Sequence, residues 1–267
     1  MRRIRILLAA FAVLPAAPPA AAGEHGIAAH VSKGEALWHD SCQAEALNGA
    51  CVALTPATRA TPCRDIRLPV AVVVDRKRAT ANQAQRHFAA AIAMWERLSE
   101  DERTPELRRA VATARFHIAE AAFEDYLAVT MPADVDYDAD PDGATMLVAR
   151  WLEDKSAALE DAKTEYFTVL VTGDPTWRIA ALTRIGQAYS YLSYALRSAA
   201  VPASVTGGRF ADDQLGAYCD ELDWLVAPID ERALDAFSLC EDAPGEWGDL
   251  CEQEKRWSLL YAPTLST

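Results

Sequence analysis

Histidine, cysteine, carboxylate and arginine are the side chains here whose types and spacing could do chemistry. His25, His30 and His39 precede Cys42 in one short stretch. With cleavage after Ala22 the mature chain would open Gly23-Glu24-His25. A histidine third from a free amine binds Cu²⁺ or Ni²⁺ in a square plane. These three histidines are the weak metal candidates, and no other cofactor is expected. Asp134, Asp136, Asp138, Asp140 and Asp142 alternate through 134–142 like part of a calcium loop. From no starting Asp does the pattern supply both Gly at the sixth and Glu at the twelfth position. An acidic surface loop is the other reading. Acid pairs such as Glu153/Asp154 and Glu160/Asp161 read as solvated helix faces. His87 and His117 fall on helices, at packing edges. The chain carries no Gly-rich phosphate loop, no Gly-x-Ser-x-Gly, no Cys-x-x-Cys and no His-Glu-x-x-His. No catalytic residue is assigned, and an enzyme is not expected.

Arg184, Gln187, Tyr191 and Tyr194 recur at spacings of three, four and three, opposite much of the Ala181–Ile185–Ala188–Leu192 stripe. Arg and Tyr anchor bound peptides well, and in helical repeats the first helix of each pair lines the concave surface. These four residues are therefore the protein-binding groove candidates. The alternative is that the preceding N-terminal segment or the fifth helix of the helical region covers them.

Six cysteines, Cys42, Cys51, Cys63, Cys219, Cys240 and Cys251, divide three and three between the two ends of the chain. With an odd number in each cluster, full pairing demands a bridge between the ends. Fifteen pairings exist. Cys42–Cys51 and Cys240–Cys251 are the plausible local bridges, which leaves Cys63–Cys219 as the long closure. In the chain-entropy account a loop that long stabilises by about 4–5 kcal/mol.

Disulfides persist in oxidising compartments, and the N-terminus agrees. Arg2, Arg3 and Arg5 form a basic start, Ile6 to Val13 an apolar stretch, and Ala20-Ala21-Ala22 a cleavage pattern. The apolar stretch falls short of the roughly 20 residues of a spanning helix. The expectation is a signal peptide over 1–22 and a periplasmic or secreted protein with no membrane insertion after cleavage. The net charge of the 267 residues is −13. Removing three Arg and no acid leaves 23 basic against 39 acidic side chains, a formal −16. Such a surface disfavours nucleic acid and anionic lipid, which bind through Lys and Arg.

These residues need elements to position them. From 23 to 78 the chain is rich in Ala, Thr, Pro and Cys and reads as an irregular Cys-containing segment. Within it Lys33–Leu47 could be a short helix. Leu68–Val74 is strand-like but without an evident partner, so it reads as extended chain lying on helices. From 79 to 267 the period is helical. Helices are expected over Ala81–Leu98, Pro105–Val129, Thr145–Val171, Thr176–Ala199, Ala211–Phe237 (kinked at Pro228) and Trp247–Leu260, with 131–143 as a loop. The fold class is all-α, with antiparallel helix pairs stacked as a short solenoid of tetratricopeptide (TPR) type and a disulfide-pinned N-terminal segment.

Two stretches carry the small/large alternation of that repeat. Ala162, Tyr166, Val169-Leu170 and Asp174-Pro175 resemble a second helix with its closing proline. Leu182, Ile185-Gly186 and Tyr189 resemble the next first helix, in a register about two residues longer than the 34-residue consensus. Ala114-Arg-Phe-His-Ile-Ala-Glu-Ala-Ala-Phe123, the run from Tyr166 through Gly173-Asp-Pro-Thr-Trp177 to Tyr189, and Ala195 to Pro202 are similar to repeat-containing envelope proteins of myxobacteria, including those linked to gliding motility. The resemblance covers roughly 110–261 and omits the cysteines and the first part of the mature chain. It implies a non-catalytic scaffold whose partners are other envelope proteins.

Overall fold

Proline and its N-caps punctuate the helices. Thr104-Pro105, Asp140-Pro141 and Asp174-Pro175 each place a side-chain acceptor just before a proline that needs no N–H. Thr104 accepts from the Leu107 N–H at 3.3 Å, Asp140 from Gly143 at 3.0 Å and Asp174 from Trp177 at 3.0 Å. The computed structural model describes residues 19–42, 51–60, 63, 65–73, 76–132, 135–240 and 242–261. In it these caps open α3 (Pro105–Ala128), α4 (Pro141–Leu170) and α5 (Pro175–Arg197). The other helices are α1 (Pro19–Ser41), α2 (Arg78–Trp95), the single turn α6 (Ala203–Thr206), α7 (Ala211–Ser238) and α8 (Glu246–Tyr261). The loop expected up to Gly143 ends earlier, because Asp140 caps and Pro141 starts the helix. α7 runs through Pro228.

The N-terminal segment is not irregular. It holds α1 and a hairpin of β1 (Val52–Ala60) and β2 (Asp65–Val73), paired antiparallel from Val52↔Val73 to Ala60↔Asp65. Leu68–Val73 therefore has a partner. β1 escapes notice in the sequence because Pro56 interrupts a run of small residues. Its register partner is Pro69, and proline is tolerated because a two-stranded sheet consists only of edges. α1 covers the first part of the expected Lys33–Leu47 helix, but begins at Pro19 and ends at Ser41. A Cβ on Gly34 would lie 2.5 Å from the Phe88 ring, so this glycine lets α1 lie close on α2. Residues 1–18, with most of the expected export signal, lie outside the described residues, as do Asp134 and the segment 43–50. The expected cleavage site falls in the first turn of α1.

Consecutive helices pack from α1 to α5 and from α6 to α8, α5 packs on α7, and α1, α3, α5 and α8 also touch in series. α3 serves two cores. Val111 and Ala114 join Ile27, Val31, Trp38 and Phe88, while Phe116, Phe123 and Tyr126 join Tyr166, Leu182 and Phe237. The three bridges are Cys42–Cys51, Cys63–Cys219 and Cys240–Cys251, with Cα–Cα distances of 5.5, 5.4 and 6.4 Å. The second ties the hairpin turn to α7 over a separation of 156 residues. At the hairpin base, Arg76 bonds both Glu124 oxygens at 2.6 Å and lies 3.4 Å over the Trp38 ring. Among the described residues, no helix is long and apolar enough to cross a membrane.

Close approach recurs where α5 meets α7: a Cβ on Gly186 would lie 2.3 Å from the Phe237 ring. Gly186→Val should therefore lower stability by about 2–3 kcal/mol, read as a reduced urea midpoint. A wild-type midpoint would show that the ring can move aside.

Candidate functional site

The helical period puts Arg184, Gln187 and Tyr191 on one face of α5, and the structure turns that face inward. Arg184 is 2% exposed and Glu120 of α3 is 0% exposed. Gln187 and Tyr191 are buried, and Tyr194 is half-buried. The groove candidates therefore do not line an open surface; α7 and α8 pack on α5, the covering α8 being the last helix and not the N-terminal segment. Arg184 donates through Nε to Glu120 Oε1 at 2.8 Å and through Nη2 to Glu120 Oε2 at 3.1 Å. Its Nη1 reaches Gln187 Oε1 at 2.8 Å, and Gln187 Nε2 donates to Glu254 Oε1 of α8 at 2.7 Å. The Tyr166 hydroxyl of α4 completes the chain on Glu120 Oε1 at 2.5 Å. The guanidinium also sits 5.4 Å from the Phe123 ring and 5.1 Å from that of Trp247. One connected polar network thus links α3, α4, α5 and α8.

Burial sets its electrostatics. It weakens the hold of Arg184 on its proton, but the charge and hydrogen bond of Glu120, with Tyr166 and Glu254, together outweigh it, and the net direction is upward. Burial, then the Glu120 charge, pushes the Tyr166 hydroxyl well up. Glu254 is raised by burial to about 7, against the Gln187 bond and the Arg184 charge. Perturbed carboxyls of this sort mark functional sites and structural networks alike. Neither hollow described below is lined by Glu254. Elsewhere Lys155, brought down to about 8 by burial, donates to the Tyr126 carbonyl at 2.6 Å. Arg197 of α5 pairs with Asp230 of α7 at 2.8 Å.

The metal candidates do not converge. The Nδ1 atoms of His30 and His87 lie 3.0 Å apart, one donating to the other. His25 and His39 are exposed, about 8 and 14 Å along α1 from His30 at 1.5 Å per residue. Among the described residues no three His, Cys, Asp or Glu side chains gather as a metal site. In the acidic loop the carboxylates bind backbone. Asp136 accepts from the Asp138 and Ala139 N–H groups at 3.0 and 2.9 Å, Asp138 from Ala203 at 3.3 Å, and Asp140 caps α4.

Among the described residues, a hollow of about 880 Å³ opens between the α4–α5 and α7–α8 turns, lined by Leu170, Val171, Arg178, Ile179, Leu239 and Trp247 among others. Val171 is 77% and Leu239 62% exposed. Val171 also borders a hollow of about 350 Å³ with Trp95, Arg103, Arg108 and Arg115. The sequence carries a faint sign of this site: Val171 and Leu239 are apolar residues at helix ends, beyond the last buried position. Glu120 and Glu254 were hidden among 39 acids.

No protein-family model, curated protein or solved structure matches this chain.

Because the Glu254 carboxyl is raised from its ordinary 4.5 to about 7, its protonated form favours the folded state. That contribution is complete below pH 4.5 and is lost as pH rises through 7. It faces Gln187 and Arg184 of α5, with Glu120 of α3 and the Tyr191 hydroxyl in the same cluster. Urea unfolding at pH 5 and pH 8 should show a loss in the wild type that is about 2–3 kcal/mol larger than in Glu254→Gln. Identical pH dependence of the two would contradict it.

Proposed function

We propose that this chain is a non-catalytic adaptor of the periplasm or cell envelope, a short stack of helix pairs of tetratricopeptide type that holds another protein. The observation that carries this reading is the apolar hollow at the helix turns, where Val171 and Leu239 stand exposed beside Trp247. Exposed apolar patches on an otherwise polar surface mark interaction sites. On an acidic chain such a patch selects partners by apolar anchoring and disfavours strongly acidic ones.

Three further features support it. Serial packing of α1, α3, α5 and α8, with α2 and α4 set between, is the arrangement expected of stacked helical hairpins. The bridges of Cys42–Cys51, Cys63–Cys219 and Cys240–Cys251 suit an oxidising compartment. The run from Gly173 to Tyr189, which carries the resemblance to myxobacterial envelope repeat proteins, begins at the rim of the hollow, where Gly173 and Pro175 line it. The binding face is thereby moved from the Arg184 stripe to the turn end of the stack.

The reading is tested by affinity capture from envelope extract with the wild type and with Val171→Glu/Leu239→Glu. Both side chains are exposed, so the fold should survive, which circular dichroism verifies. The wild type should retain specific envelope proteins and the variant should lose at least about nine-tenths of them, equivalent to 1.4 kcal/mol or more. Equal recovery by the two would remove the hollow as the docking face.

A further inference from the structure

α8 closes on α5 through a seat of polar groups. Where α5 meets α7 the contact combines Phe237, Gly186 and Ala233 with the Arg197–Asp230 pair. On α5, α8 rests largely through polar groups: Glu254 on Gln187 at 2.7 Å, Ser258 Oγ against Ser190 Oγ at 3.3 Å, and Trp247 against the Arg184 guanidinium. Glu254 is 3% exposed, so the carboxyl is held almost wholly inside the seat. The linker before α8 is a chain of turn residues, with Asp242 at φ 61° and Gly245 at φ 93°. One further group in the seat is left over. The buried Tyr191 hydroxyl, one turn beyond Gln187 on the same face, bonds to nothing among the described residues.

α8 joins apolar anchors, Cys251 in the core and Trp247 against Phe116, to polar partners around an unused hydroxyl, on a turn-rich tether. We propose that α8 is a displaceable self-ligand: it occupies a face of α5 that takes an amphipathic helical segment of another protein, carrying an aromatic residue and, seven positions later, a carboxylate. Trp247 and Glu254 define that spacing in the chain itself. The partner aromatic packs on Arg184, its carboxylate accepts from Gln187, and the Tyr191 hydroxyl is the additional donor. The Cys240–Cys251 bridge fastens α8 to the end of α7, which keeps the self-ligand at high effective concentration and makes an outside helix compete poorly. This inference rests on the adaptor reading and adds a second surface to it. The seat shares Trp247 with the hollow but not Val171 or Leu239, so a failed capture there and a failed exchange here are told apart.

The test uses the full chain and a fluorescein-labelled peptide of residues 246–261 bearing Cys251→Ser, followed by anisotropy. The wild type should bind it weakly. The Cys240→Ser/Cys251→Ser chain, checked by circular dichroism, should bind it about 100-fold more tightly, and a peptide with Glu254→Lys should bind neither. If removing the bridge unfolds the chain, the bridged chain carrying Glu254→Lys takes its place, with the same gain expected for the peptide that retains Glu254. Equal affinity of the wild-type and altered chains overturns the proposal, as does undiminished binding of the Glu254→Lys peptide.

Discussion

The ion pair between Glu120 and Arg184 is the interaction on which the arrangement of the helices depends. Both residues are sealed from water, and a buried pair stabilises only when its remaining donors and acceptors are satisfied. Here both oxygens of Glu120 are used, by Arg184 and by Tyr166, and the guanidinium has Gln187 as its further acceptor. Each partner comes from a different part of the chain, so the pair can be complete only if α3, α4 and α5 are in register. Losing one member would strand a buried charge, a cost of about 3–5 kcal/mol. The apolar contacts around it supply attraction. The polar chain supplies the requirement that only one packing meets.

Charge and covalent closure work at the two ends of that frame. Arg76 on Glu124 and Trp38 fixes the hairpin base to α1 and α3, and Cys63–Cys219 fixes its turn to α7. The ends of the chain are thereby held against a body that the ion pair has set in register. The surplus of acidic residues is spread over the outer helix faces and the caps. Asp136, Asp140 and Asp174 each accept from backbone N–H groups, so part of the acidity serves the turns.

Much of this was legible in the sequence, for local reasons. Proline after a capping residue marks a helix start, and the odd cysteine count in each half requires a bridge between them. Gly186, a small residue of the repeat-like alternation, is where α5 and α7 approach closely. The failures are equally local. Gly34 carries the same meaning as Gly186 and sits inside the expected Lys33–Leu47 helix, but the turns of α1 before Lys33 carry little helical period and read as irregular chain. Asp140-Pro141 is a cap-and-start pair but was lost in a run of aspartates. The Arg184 stripe was found by its period, yet periodicity cannot tell an open face from one covered by a helix arriving 60 residues later. Glu254 decides that question, and no local pattern distinguishes it from other glutamates.

The central claim is that the polar face of α5 is enclosed while the turn end of the stack is open. Arginine labelling of the native protein with phenylglyoxal, read by peptide mass mapping, addresses it most directly. Arg178, exposed on the rim of the hollow, should be modified readily, and Arg184 should stay unmodified until the protein is denatured. Modification of Arg184 at a rate comparable to Arg178 in the folded protein would contradict the account.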